Sequence, residues 1–323
     1  MKPADSLRNA VRHRVNSACS KYLTHQFVAP FFDVHELGSK YWYDVMARAG
    51  VELVETVRVR ADTRGVFLVE HPEYGRCVLK TVFAARHPGQ GFANQAITGI
   101  VSEMAPSIFP CVFEATPEYT VEEYIEGRAF RKWLSTDFCQ APVRGYFAAL
   151  KDWSESAPRD NSSETLSPHE IWEICRAYIV KCLDHARFFP STSRIRSVRH
   201  FYERGDDLEA QVDWLRQAAE WISLPREMMC GDMGNVNLLV QQGTDRVFNI
   251  DYEYMGPGHR GFDCAYFLSS LSKMGDPEEV IASIKEVVLT EGYMGGADSL
   301  EFFTVFTEVL SEISRTIYGA RGT

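Results

Sequence analysis

The sequence predicts an α+β chain of two lobes, a small β-rich one followed by a larger and mostly helical one. Three observations carry this reading. Short apolar and Val-rich runs crowd residues 51–83 and recur at 119–125, the texture of strands joined by turns. Beyond Gly127 the apolar residues recur mainly at helical spacing. Amid those helices a compact hairpin stands out, 236–241 paired with 246–250 across Gln242-Gly243-Thr244-Asp245. The join falls near residues 122–127, giving an N-terminal helical extension over 1–46, a β-rich lobe over 47–125 and a helical lobe over 126–323.

Taken in order, Leu7, Val11, Val15 and Tyr22 are spaced as one face of a helix, and an aromatic stretch with several turn formers follows from Phe27 to Trp42. Strands are expected at Val51–Arg60, Gly65–Glu70 and Arg76–Phe83, the last two joined by His71-Pro72-Glu73-Tyr74-Gly75. A helix over Ala93–Met104, Pro110 and a strand over Tyr119–Ile125 complete the small lobe. In the large lobe one helix start is well marked: Ser167 as N-cap, Pro168 at the first position and Glu170 three residues after the cap. Its buried stripe is Ile171, Ile174, Cys175, Tyr178, Cys182 and Ala186. A second amphipathic helix carries Leu208, Val212, Leu215, Ala219 and Ile222 and stops before Pro225. A last one runs from Ser299 to Tyr318 over Phe302, Phe306, Val309, Ile313 and Ile317.

Composition narrows the function. Among 323 residues, 34 Lys and Arg face 44 Asp and Glu, a net charge of −10 that disfavours nucleic acid as a partner. With 45% hydrophobic and 24% charged residues the chain has enough apolar mass to fold, and no apolar run is long enough to span a membrane. The eight cysteines show neither CxxC pairs nor zinc spacing and sit mostly in apolar runs, as thiols do in a reducing compartment. A cytoplasmic location is expected.

The stretch richest in chemistry is Cys230-Gly231-Asp232-Met233-Gly234-Asn235-Val236-Asn237, followed by Ile250-Asp251-Tyr252-Glu253-Tyr254. Pairing the hairpin strands brings Asn237 and Asp251 together at one end. There an amide oxygen and a carboxylate can hold Mg²⁺ on the phosphates of a nucleotide. Asp232 stays in the loop, where it can face an acceptor hydroxyl. A lone Asp-x-x-x-x-Asn is more often an Asx-turn; the chemical reading rests on the combination with Asp251.

These residues resemble the catalytic-loop motif H-G-D-x-x-x-x-N followed by I-D-x-E of the aminoglycoside phosphotransferases and the choline and ethanolamine kinases. The continuation Arg260-Gly261-Phe262-Asp263 is similar to the choline kinase side. The resemblance spans residues 228–268 and implies a bilobal protein-kinase-like fold, ATP with Mg²⁺ as cofactors, and transfer of the γ-phosphate to a small molecule. Cys230 stands where the family has a His that braces the loop, so another contact must support it, with Cys230 simply buried.

The resemblance also implies roles at a distance. Lys80 would contact the α- and β-phosphates, with an ion-pair partner expected on the next helix, where Glu103 is a poor candidate. Ala61-Asp62-Thr63-Arg64-Gly65 is the candidate phosphate loop, with Arg64 and Gly65 nearest the nucleotide, although a plain hairpin turn fits as well. Backbone groups of Glu123, Tyr124 and Ile125 would form the adenine hinge, and Leu239 and Ile250 the apolar floor under the base. Asp263 would brace the structure.

For the acceptor, Glu253, Glu308 and Glu312 are the candidate carboxylates facing a cationic group, and Glu253 could instead take a second metal. Choline kinases hold choline in an aromatic cage to which a C-terminal helix brings tryptophans; this chain has no Trp after Trp221. Tyr252, Tyr254, Tyr266 and Phe267 could supply aromatic surface or pack in the core. The basic stretch Arg187–Arg204 is either a solvated face or an anion site. A protein kinase is disfavoured, because eleven residues between Asp251 and Asp263 leave little room for an activation segment. A pseudokinase serving as a regulatory or interaction module is the alternative from another class. The sequence leaves the oligomeric state open.

Overall fold

A computed structural model describes residues 34–59, 64–82, 106–116, 118–156, 164–184, 205–251, 255–271 and 278–318. The expected helices at 6–22 and 93–104, loop residues 61–63, the basic stretch and Tyr252, Glu253 and Tyr254 lie outside the described residues.

Helix α1, Val34–Ala49, runs from the end of the expected helical extension into the start of the small lobe, through a stretch that carries turn formers. It is helical because Val45, Met46 and Ala49 place one buried face on the neighbouring sheet, an apolar contact that outweighs its turn formers. It stops at Gly50, whose φ of 65° suits a left-handed cap, with Gly50 N–H bonded to Ala47 O and Val51 N–H to Met46 O.

The sheet beside it contains β1 (Glu52–Val59), β2 (Arg64–His71), β3 (Gly75–Val82), β4 (Val112–Ala115) and β5 (Tyr119–Glu123), antiparallel in the order β1-β2-β3-β5-β4. Alternation sets its inner face. Phe67 and Val69, Cys77 and Leu79, and Tyr119 and Val121 are buried together against α1. The β2–β3 turn closes as the sequence reads, with Gly75 at φ 70° and His71 Nδ1 accepting the N–H groups of Glu73 and Tyr74. Strand β4 was not foreseen, since four residues after Pro110 are too few to show a period. Strand β5 ends at Glu123, two residues earlier than expected.

The chain then forms β6 (Gly127–Ala129), α2 (Phe130–Asp137), α3 (Gln140–Ser156), α4 (Pro168–Asp184), α5 (Gly205–Ala218), β7 (Glu227–Met229), β8 (Leu238–Gln241), β9 (Val247–Asn249) and β10 (Gly256–Gly258). Helices α6 (Arg260–Leu271), α7 (Glu278–Thr290) and α8 (Ala297–Tyr318) follow. Ser167 and Glu170 make the reciprocal cap the sequence signals: Ser167 N–H donates to Glu170 Oε2 at 2.9 Å, and Glu170 N–H to Ser167 Oγ at 3.4 Å. The Ser167 N–H and hydroxyl, both donating to that carboxylate, and then Arg226 hold the Glu170 carboxyl down at about 2.

Helix α6 is buried along its whole length and packs against α8 and α4. Phe262 sits edge-on to Phe302, Phe303 and Phe306 of α8. At its start Arg260 pairs with the buried Glu227 of β7 and donates from Nε to Tyr293 O at 3.1 Å. The preceding His259 is stacked on Phe303 and accepts Gly261 N–H at Nδ1. Burial, and secondarily the Arg260 cation, hold its pKa down at about 3, so it is a neutral core residue at pH 7. Among the described residues no helix is long and apolar enough to cross a membrane, and the described cysteines are free thiols, most of them buried.

Candidate active site

The Cys230–Asn237 loop is held from below by both ends of α6. At its first turn, Asp263 is completely buried and accepts three hydrogen bonds: Cys230 N–H at 2.6 Å, Gly231 N–H at 2.9 Å and the Tyr178 hydroxyl at 2.8 Å. Two successive N–H groups reach one carboxylate because Gly231 takes a φ of 73°, which a side chain would resist. Burial, then the Asp263 carboxylate, push the Tyr178 hydroxyl well above its usual range, so it stays a donor. Near the other end of α6, Ser270 receives Asn235 N–H on Oγ at 3.0 Å and Asn235 Nδ2 on its carbonyl at 3.1 Å. The support expected in place of a His thus comes from Asp263. Cys230 itself is buried, and desolvation keeps its thiol protonated.

Between these anchors the loop folds back on itself. The Asp232 carbonyl accepts Gly234 N–H and Asn237 Nδ2, each at 2.9 Å. Residues Asn235–Asn237 form a single 3₁₀ turn rather than the start of the hairpin strand that was expected from 236, because Asn237 N–H on Gly234 O and Asn237 Nδ2 on Asp232 O satisfy the backbone locally. The hairpin proper pairs Leu238 with Asn249 and Val240 with Val247. Its register places Ile250 N–H on Asn237 O at 2.9 Å, so Asn237 lies one residue from Asp251. Asn249, fully buried, accepts Asp251 N–H on Oδ1 at 3.1 Å.

This donor set fits Mg²⁺. The Asn237 nitrogen is engaged with the loop, so Oδ1 is the atom that could ligate an ion, and Asp251 would add a carboxylate at the same hairpin end. Among the described residues no three His, Cys, Asp or Glu side chains gather into a metal site. One carboxylate and one amide suit an ion that keeps waters and draws its other ligands from phosphates.

Lys80 reaches this end from β3. Its Nζ donates to the Ile250 carbonyl at 2.5 Å and to Glu122 Oε2 at 2.5 Å. Lys80 pairs with Thr120 and Val78 with Glu122 across the β3–β5 ladder, so Lys80 and Glu122 are diagonal neighbours on one face. Glu122 is 3% exposed, and its Oε1 accepts the Thr120 hydroxyl at 2.7 Å. A carboxylate partner for Lys80 is therefore on the sheet, whereas the expectation placed one on the following helix. Glu122 and Asn249 were both missed. The only sequence signal for Glu122 is the polar phase of Thr120 and Glu122 opposite Lys80, which is readable only with the register in hand.

Other expected positions fall as follows. Gly65 lies in β2 instead of a loop; its N–H donates to Thr81 Oγ1 at 3.2 Å, and a Cβ there would come within 2.1 Å of the Phe67 ring. Its smallness serves the packing of buried Phe67, and its N–H is already committed. Arg64 is the first residue of β2, its side chain outside the described set. Glu123 N–H bonds Cys111 O on the β4 side at 2.8 Å, while Ile125 is buried at the join between lobes. Leu239, between buried Leu238 and Val240, and Ile250 are both half-buried. On α8, Glu308 is exposed and Glu312 half-buried. Tyr266 and Phe267 are core residues of α6 and offer no aromatic surface.

No family model matches the sequence, and no curated protein matches it. Solved structures do match. The aminoglycoside phosphotransferase APH(3'')-Id from Streptomyces rimosus, in complex with ADP and streptomycin, superposes with a TM-score of 0.52 at 18% identity, covering 84% of this chain and 98% of that one. Choline kinase from Cryptosporidium parvum gives 0.49 at 16% identity, covering 83% and 82%. Among the described residues an antiparallel sheet lobe is followed by a helical lobe in which the Asp232–Asn237 loop is carried on a buried helix. The chain therefore has the bilobal protein-kinase-like fold of the aminoglycoside phosphotransferases.

Proposed function

We propose that this chain is an ATP- and Mg²⁺-dependent phosphotransferase that moves the γ-phosphate to a hydroxyl of a small, amine-bearing molecule. The observation that carries the reading is the meeting of Lys80 with the Ile250–Asp251 segment, beside a loop that holds Asp232 and Asn237. A strand residue 170 positions earlier in the chain thus meets the loop and hairpin at the point where the phosphates would lie.

Lys80 would position the α- and β-phosphates, its ammonium held by Glu122. Asn237 Oδ1 and Asp251 would hold Mg²⁺, which when bound neutralises phosphate charge. Asp232 would orient the acceptor hydroxyl and take its proton. This chemistry depends mainly on placement and charge neutralisation, which the tethering of the loop to α6 supplies. The adenine would lie between Glu123–Ile125 and the Leu239 and Ile250 side chains, with Arg64 near the phosphates.

Carboxylates of Asp232 and Glu253, with Glu308 and Glu312 on α8, favour a cationic acceptor. The neighbour bound to ADP and streptomycin supports an acceptor of the aminated kind. Choline should be a poor substrate, since Tyr266 and Phe267 are committed to the core and no Trp follows Trp221. We place the protein in the cytoplasm, without nucleic acid or membrane partners. Two features leave a pseudokinase open, the altered Cys230 position and the single Gly65 of the candidate phosphate loop, and the Asp263 brace speaks to the first.

ADP release measured across choline, amino alcohols, aminoglycosides, nucleosides and sugars tests the acceptor. Asp232→Asn should abolish turnover and keep Mg²⁺-nucleotide binding, while Asp251→Ala should lose both. An active Asp232→Asn enzyme, or equal loss of binding in the two, would sink this division of roles.

A further inference from the structure

Asn249 stands where the strand pattern calls for an apolar residue. Val247 and Phe248 before it are buried, and it is completely buried itself. Its backbone is already secured, with N–H bonded to Ile108 O at 2.8 Å. Its carboxamide does two unequal things. Oδ1 accepts Asp251 N–H at 3.1 Å. The carboxamide also faces the Tyr146 hydroxyl of α3 and the Cys230 thiol, but no hydrogen bond of good geometry reaches Nδ2 or the Tyr146 hydroxyl.

An unpaired buried N–H is a penalty that a Leu of similar size would avoid. The amide is thus poorly explained by packing, and its hydrogen bond of good geometry is the one with Asp251. We propose that Asn249 is a positioning residue for Asp251, fixing through its buried carboxamide the direction in which that carboxylate leaves β9. The proposal rests on the kinase reading above and deepens it. With the Asp251 peptide tethered at i+2, its side chain leaves the hairpin along one path, beside Asn237. Without the tether the peptide can rotate, and a ligand pair that must hold one small ion loses its fixed spacing.

Stability and metal response should then separate. Asn249→Leu removes both the tether and the unpaired N–H, so its Tm should equal or exceed that of the wild type. The Mg²⁺ concentration for half-maximal ADP binding, read by calorimetry, should rise about tenfold, the loss of one typical hydrogen bond. ADP binding in EDTA should not change. Asn249→Ser and Asn249→Ala differ by one oxygen, so Ser should retain more of the Mg²⁺ response; this pair decides the matter if the Leu variant does not fold. A wild-type Mg²⁺ response in Asn249→Leu, equal Ser and Ala variants, or Tm and Mg²⁺ response falling together would overturn the assignment. The wild type and Asp251→Ala run beside them separate the two levels. A wild type without Mg²⁺-dependent ADP binding overturns the kinase reading and this inference with it, whereas expected behaviour in both controls confines a failure to Asn249.

Discussion

Lys80→Met removes an ammonium and keeps its apolar stem, leaving the Glu122 carboxylate facing the place the charge occupied. The two side chains are 19% and 4% exposed, so the pair is close to a buried one. Deleting one partner of a buried pair costs about 3–5 kcal/mol, because the remaining charge keeps its desolvation and loses its counter-charge. Here the lower end applies, about 3 kcal/mol, since Lys80 is partly hydrated and the Thr120 hydroxyl still bonds Glu122. For a chain of this size that is a Tm loss of roughly 4 °C. Adding Glu122→Leu removes the orphaned carboxylate, and the double variant should regain about 2 kcal/mol relative to Lys80→Met alone. Activity should not follow stability: Lys80→Met and the double variant should both show a raised KM for ATP with little change in acceptor KM. Urea denaturation of the four proteins of the cycle, with kinetics varying each substrate, reads both quantities. A Lys80→Met variant as stable as wild type, or a double variant no more stable than the single, would refute the buried-pair reasoning. Unchanged ATP dependence would return Lys80 to a purely structural role.

Two further outcomes follow from the buried groups around α6. His259 in the folded chain protonates only at about 3, while in the unfolded chain it protonates near 6.5. The unfolded state therefore takes up the proton first, and stability present above the unfolded value is lost as pH falls, by about 2 kcal/mol between pH 7 and pH 5. His259→Gln should lack that component in urea titrations at the two pH values, and an unaltered pH slope would show that His259 does not supply it. Asp263→Asn exchanges one acceptor oxygen for a donor facing the loop N–H groups. It should destabilise by about 3 kcal/mol or more and abolish turnover; a stable, active variant would show that the loop does not depend on this brace.

What could be read early were patterns confined to short stretches. The Ser167–Glu170 cap and the His71–Gly75 turn are local hydrogen-bond solutions written within four or five residues, and the structure contains both. The spacing of Asp232, Asn237 and Asp251 was legible for the same reason, since one loop and one hairpin carry all three. Strand β4 was missed and the bounds of helix α1 were not foreseen, because neither has a period strong enough to stand alone. Each is stabilised by what it packs on, β4 by pairing with β5 and α1 by the inner face of the sheet.

Sequence by itself determined the order of a β-rich and a helical lobe and the spacing of Asp232, Asn237 and Asp251, because hydrophobic period and short-range spacing are properties of contiguous residues. Tertiary structure alone decided which carboxylate meets Lys80, what supports the loop at Cys230, and why an Asn lies buried at 249. Glu122 meets Lys80 across 42 residues of chain, and Asp263 reaches Cys230 across 33. Such contacts depend on strand register and helix depth, which no local pattern encodes. A charge becomes a partner only once folding has removed the water that would otherwise have solvated it.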